Sequence, residues 1–158
     1  MSPVFDLWVP GTPVPQGSLT PMISRSTGRV MVINKDARLA TWRNSIVAEA
    51  TARIPLHELG LEFPLAGAIA VDVAFYMPRP AGHYGTGKNA AQIKPSAPKY
   101  PAKMPDIDKL LRAVLDALTV AQVWFDDGQA VTVIARKKYA GHETPNPGVK
   151  IVVAPINA

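Results

Sequence analysis

Between Ile69 and Met77 the chain is apolar at every second position, and between Ile107 and Leu118 it is apolar at every third or fourth. The first period belongs to a strand with one face in a core and the second to a helix with one buried stripe. A fold that contains both must lay helices against a sheet. A second helical stripe follows the same rule, because Leu39, Trp42, Ile46, Ala50 and Ile54 share one face of a predicted helix over 37–54 while Arg38, Arg43, Asn44 and Glu49 fall elsewhere. Asn34 and Asp36 stand ahead of it as N-cap candidates.

Shorter apolar runs at Val4 to Val9, Arg29 to Ile33, Ala130 to Tyr139 and Val149 to Ala154 predict further strands around the one at Gly67 to Met77. The order strand, strand, helix, strand, long loop, helix, strand, strand predicts a single α+β domain over 1–158. Its expected architecture is a small mixed β-sheet with two main helices packed on one face. At 158 residues and 47% hydrophobic content the chain has enough material for one core, and no internal repeat divides it. No apolar run approaches the length needed to span a bilayer, and Met1 to Pro10 lacks the basic flank and apolar stretch of a signal peptide. The expectation is a soluble, cytoplasmic protein.

The absence of cysteine excludes disulfides, thiolate catalysis and cysteine-ligated metals, and the only histidines are His57, His83 and His142. Any metal would therefore be held mainly by carboxylates. Seventeen basic against twelve acidic residues, a net charge of +5, fit a polyanionic partner. The basic residues concentrate in a stretch of Pro, Gly, Ala and Ser from 79 to 103, where Arg79, Lys88, Lys94, Lys99 and Lys103 occur without one acidic residue. A loop of that length is uncommon unless it is functional or unstructured. We expect a flexible basic loop whose Gly82, Gly85 and Gly87 let it order on DNA and whose His83 and Tyr84 stack on an exposed base; the plainer reading is a basic surface loop. No second histidine sits at ligand spacing from His83.

The acidic residues that carry chemistry bracket the second long helix. Asp106 and Asp108 stand at its start, and Asp126-Asp127-Gly128 follows the turn beyond its end. Residues two apart share a side only in extended backbone, and Pro105 favours an extended approach, so both carboxylates are expected to face one point. The apolar Val123-Trp124-Phe125 should hold the following turn against the core, and a chain returning beside the helix is expected to bring Asp127 back to Asp106 and Asp108. Such a set suits Mg²⁺. The plainer reading is that these aspartates cap a helix and form an ordinary turn. Arg112, four residues from both Asp108 and Asp116, either forms helix-surface ion pairs or holds a phosphate.

The run Pro105-Asp106-Ile107-Asp108-Lys109-Leu110-Leu111-Arg112-Ala113-Val114-Leu115-Asp116-Ala117-Leu118-Thr119, followed by Trp124-Phe125-Asp126-Asp127-Gly128-Gln129, resembles the signature of RusA-type Holliday junction resolvases. Val9-Pro10-Gly11-Thr12-Pro13-Val14-Pro15 is similar to that family's opening loop, and Arg136-Lys137-Lys138-Tyr139 to its basic strand; Ser18 to Ala102 matches in outline only. The resemblance implies a dimeric α+β endonuclease, commonly phage or prophage encoded. Such an enzyme uses an acidic cluster with Mg²⁺, or Mn²⁺ in its place, to make paired nicks in four-way DNA junctions during recombination and repair. The metal-binding aspartates carry over to Asp106, Asp108 and Asp127, and the family's catalytic lysine carries over to Arg112, which keeps the charge but not a lysine's proton chemistry. Lys109 stands where the family often has Asn, and Gln16-Gly17-Ser18 where basic residues are more usual. Lys137 aligns with a basic position, so the DNA-contact set becomes Lys88, Lys94, Lys99, Lys103, Lys109 and Lys137. Two other readings stay open: a non-catalytic basic DNA-binding protein, which binds without cutting, and a metal-dependent nuclease for other DNA structures, which cuts without preferring a junction.

Overall fold

The computed structural model describes residues 4–17, 20–33, 37–56, 60–141 and 144–156. The predicted caps Asn34 and Asp36, and with them His57 and His142, lie outside the described residues.

Four strands form a mixed sheet. In chain order they are β1 (Phe5–Pro10), β4 (Ile69–Met77), β5 (Ala130–Tyr139) and β6 (Gly148–Pro155), arranged in space as β1-β6-β4-β5. The pairs β1–β6 and β6–β4 are antiparallel and β4–β5 is parallel. Register turns the alternation of each strand into apolar rows across the sheet, because cross-strand neighbours put their side chains on one face. One row runs Phe5, Val153, Val71, Val133; the next runs Leu7, Ile151, Val73, Ala135; a third runs Val9, Val149, Phe75, Lys137. The members on β1, β6 and β4 are all buried, so this is the core face. Lys137 is therefore a cation at the end of an apolar row.

Two helices complete the core: α1 (Ala37–Arg53), which packs on α2 (Ile107–Val120) and on β1, and α2, which also meets β5. Leu39, Trp42, Ile46 and Ala50 are the buried residues of α1, as their spacing predicts, and Leu110, Ala113, Val114, Ala117 and Leu118 are those of α2. Helix α2 ends where Gln122 takes a left-handed φ of 60°, after which Val123 N–H bonds back to Leu118 O at 3.1 Å. Val123 and Trp124 then enter the core, and Trp124 Nε1 donates to Thr119 Oγ1 at 2.8 Å.

Two features depart from the sequence reading. The apolar run ending at Ile33 is strand β3 (Val30–Ile33), which pairs with an additional strand, β2 (Thr20–Ile23), in a two-stranded ribbon separate from the main sheet. Pro21 masks β2 in the sequence, since a proline is tolerated only where its missing N–H faces away from a partner. The segment 79–103, patternless in sequence, contains two single-turn 3-10 helices, Ala81–His83 and Gly87–Asn89. It has its own hydrogen bonds, among them Gly85 N to Gln92 O at 2.9 Å and Lys94 N to His83 O at 2.8 Å. Turn chemistry of this kind leaves no hydrophobic period to read.

Candidate active site

Asp106 precedes α2 in extended backbone (φ −68°, ψ 139°), and Asp108 lies in the first turn. Asp106 occupies the N-cap position, yet its side chain makes no capping hydrogen bond. Among the described residues its side chain makes an exposed ion pair with Lys109 Nζ at 3.5 Å, a kind that contributes little. Asp108 is exposed, and its side chain makes no hydrogen bond or ion pair among the described residues. Both carboxylates line a cleft of about 1020 Å³, together with Lys103, Arg136, Lys137 and Lys138.

The cations of this cleft have different work. Lys137 sits on the core face of β5, and its ammonium donates to Lys103 O at 2.8 Å and Pro105 O at 2.9 Å. It thus clamps the segment that delivers Asp106 to the cleft. Arg136 and Lys138 point to the other face of the strand, where Arg136 pairs with Asp72 at 2.8 Å and Lys138 lies 5.9 Å from the Tyr76 ring. Arg112 follows Asp108 by one turn on the same side of α2. It is exposed and pairs with neither Asp108 nor Asp116. Asp116 accepts instead from Gln16 Nε2, and Gln16 N–H bonds Lys109 O at 3.0 Å, so the opening loop is tied along α2.

The Asp126-Asp127 pair is divided by role. Asp126 Oδ1 accepts from Gly128 N at 2.7 Å and Gln129 Oε1 accepts from Asp126 N at 2.9 Å, a capping box for the single-turn 3-10 helix Asp127–Gln129. Gln129 Nε2 fastens that turn to Leu65 O and Gly67 O, each at 2.9 Å. Asp127 takes no part in these bonds and is exposed. The turn, however, follows the C-terminal end of α2, whereas Asp106 and Asp108 sit at its N-terminal end. Fourteen helical residues separate the two ends, about 20 Å at roughly 1.5 Å per residue. The expected convergence of all three aspartates within one chain does not occur, and among the described residues no three His, Asp or Glu side chains come within reach of one metal ion. The chain returns along β5, and what comes back to Asp106 is Lys137.

Of the basic residues picked from sequence, Lys103, Lys109 and Lys137 lie at the acidic pair. The other three do not line the cleft: Lys88 is exposed in a 3-10 turn, Lys94 Nζ bonds Gly82 O at 3.0 Å, and Lys99 stands 5.4 Å from the Tyr100 ring. His83 and Tyr84 are half-buried, His83 with its edge to Tyr139 at 5.5 Å. Arg136 and Lys138 were missed as cleft residues; strand alternation argues for choosing one face of β5, but the cleft wraps its edge. No helix among the described residues is long and apolar enough to cross a membrane.

Two carboxylates left uncapped at a helix start, in a cleft rimmed by four cations, form the kind of site that handles a phosphodiester with a divalent ion. Comparison with known families agrees: the model described as Endodeoxyribonuclease RusA matches residues 10–154 of the 158. The chain belongs to the RusA family and is a Holliday junction-resolving endodeoxyribonuclease. No curated protein matches it. Membership implies use of a divalent metal and binding of branched DNA. Asp106 and Asp108 fit that requirement, being hard oxygen donors with no competing cap to satisfy.

Proposed function

We propose that this chain resolves four-way DNA junctions by paired, symmetric nicks, using Mg²⁺, or Mn²⁺ in its place, held by Asp106, Asp108 and Asp127, and that it works as a homodimer. The observation that carries the reading is the pair Asp106 and Asp108, uncapped and exposed within the cationic cleft. When bound, the ion supplies charge neutralisation at the scissile phosphate and an acidified water. The chain's own residues do the rest: Lys137 holds the approach to Asp106, and Arg112, one turn beyond Asp108, offers fixed positive charge to the phosphate. Lys103 and Lys109 at the cleft, with Lys88, Lys94 and Lys99 beyond it, bind phosphates with little regard to sequence.

Two features support the homodimer. Strand β5 is an edge of the sheet, and Val131 (63% exposed), Val133, Ile134 and the neighbouring Phe125 (66%) remain uncovered along it, which marks a pairing surface. A two-fold axis that sets two β5 strands antiparallel brings the Asp127 end of one copy to the Lys137 end of the other, beside Asp106 and Asp108. That arrangement supplies the third carboxylate that one chain lacks. Work on recombining or damaged DNA of a bacterium and its phages places such an enzyme in the cytoplasm.

The test is to incubate the protein with a labelled four-way junction and a matched linear duplex, in Mg²⁺ or EDTA, alongside Asp108→Asn. Paired nicks confined to the junction, abolished by EDTA and by the variant, are expected. Binding without cutting would make this a non-catalytic DNA binder, and equal cutting of the duplex a nuclease without junction preference.

A further inference from the structure

A second cavity, of about 480 Å³, adjoins the acidic cleft and shares Lys103, Met104, Lys137 and Pro101 with it as a common wall. Six of its fourteen lining residues are prolines: Pro13 and Pro15 from the opening loop, Pro78 and Pro80 after β4, and Pro101 and Pro105 before α2. Three others are cations, Arg38, Lys103 and Lys137, and among the described residues no carboxylate lines it. Proline rings present rigid C–H surface and no backbone donor, so these walls are apolar and pre-shaped. The volume falls in the range of small-ligand sites, roughly 300–1,000 Å³. Tyr139 completes the lining, one of its faces taken by the Arg79 guanidinium at 4.2 Å.

A proline-lined pocket with cations among its described residues suits an aromatic ring carried on an anionic backbone, which is the chemistry of a single nucleotide. Lys137 fits the phosphate flanking such a base: it gives two of its three N–H donors to Lys103 O and Pro105 O, and one remains. Drawing a base from a duplex costs stacking and pairing energy, and the cost is least where a neighbour is already missing, as at a branch point. We propose that this proline-walled pocket receives one base, unstacked from the branch point, immediately beside the phosphate that is cut. The proposal rests on the junction-resolving reading and adds to it a base-holding site that discriminates a junction from a duplex. Arg38 and Thr12 line this pocket and not the acidic cleft, and both also border the neighbouring hollow beside Trp42.

The experiment uses the wild-type protein in EDTA and four-way junctions carrying one 2-aminopurine at successive positions around the branch point. Binding should raise the fluorescence severalfold at one or two positions next to the cleavage sites and at none in a matched duplex. Thr12→Phe, which fills the pocket from its rim, should abolish that rise and lower junction cleavage in Mg²⁺ at least tenfold, while junction binding stays within about tenfold of wild type. Arg38→Ala removes a rim cation without adding bulk, and should lessen the rise if Thr12→Phe proves poorly folded by circular dichroism. A rise unchanged in both variants, or no rise at any position in a fully bound junction, overturns the base pocket and leaves the resolvase reading standing. Failure of the wild type to bind the junction overturns both. Loss of the dimer in Thr12→Phe, with the fluorescence response kept by whatever junction is bound, gives the pocket to a second copy of the chain and overturns the proposal.

Discussion

Neighbouring aspartates in this chain have unlike duties, and their variants should separate accordingly. Asp106→Asn and Asp108→Asn remove the charge of the proposed metal ligands without disturbing a cap, so cleavage should fall by at least a hundredfold while gel-shift affinity for the junction and the melting temperature stay near wild type. Asp126→Ala should do the reverse, costing about 1 kcal/mol in urea unfolding through the lost cap while cleavage by the folded protein persists. Lys137→Met should lose both stability and activity: a charge-assisted hydrogen bond contributes roughly 1.5–3 kcal/mol, and the two carbonyls it holds belong to the approach to Asp106. The residue types were legible in the sequence, because Asp-Ile-Asp and Asp-Asp-Gly announce carboxylates at a helix start and a turn. Their division was not, since which aspartate of a pair caps its turn depends on a partner such as Gln129, whose position follows from the fold.

The elements were read more fully than their roles. The periods over 37–54, 69–77 and 107–118 found α1, β4 and α2 because those segments bury one face against the core, and burial on one side is what periodicity records. β5 and β6 were found to within a residue or so of their observed ends. What escaped was β2, whose Pro21 reads as a break, and the turns of 81–93, held by local bonds with no apolar period of their own. Trp124 is the largest fully buried side chain and ties the end of α2 to the turn of Asp127. Trp124→Ala should cost about 3–5 kcal/mol in thermal or urea unfolding, and loosen Asp127 before it disturbs Asp106.

At the scale of the whole molecule the question is how aspartates beyond opposite ends of a helix about 20 Å long could serve the single ion proposed above. The helical period over 107–118 already implied a long helix; what was not legible is that the chain beyond Trp124 starts back along β5 from the far end of α2 and leaves Asp127 there. Val131→Lys should weaken the dimer at the β5 edge, seen as a fall in mass by light scattering, and take paired nicking with it. Subunit mixing asks more directly. Asp106→Asn and Asp127→Asn chains, each inactive alone, should recover nicking when mixed, because one of the two sites in a mixed pair then holds a complete set of carboxylates. The recovered cuts should be single and unpaired; a mixture that stays inactive would put all three ligands in one chain.

The position of the two acidic ends also bears on dilution. On the proposed dimeric arrangement a chain carries half of each site and cuts only when it meets its like, so well below the dissociation constant of the dimer the rate should fall as the square of protein concentration rather than in proportion to it. A nuclease built on that arrangement would stay silent while scarce and become active over a narrow rise in its own abundance.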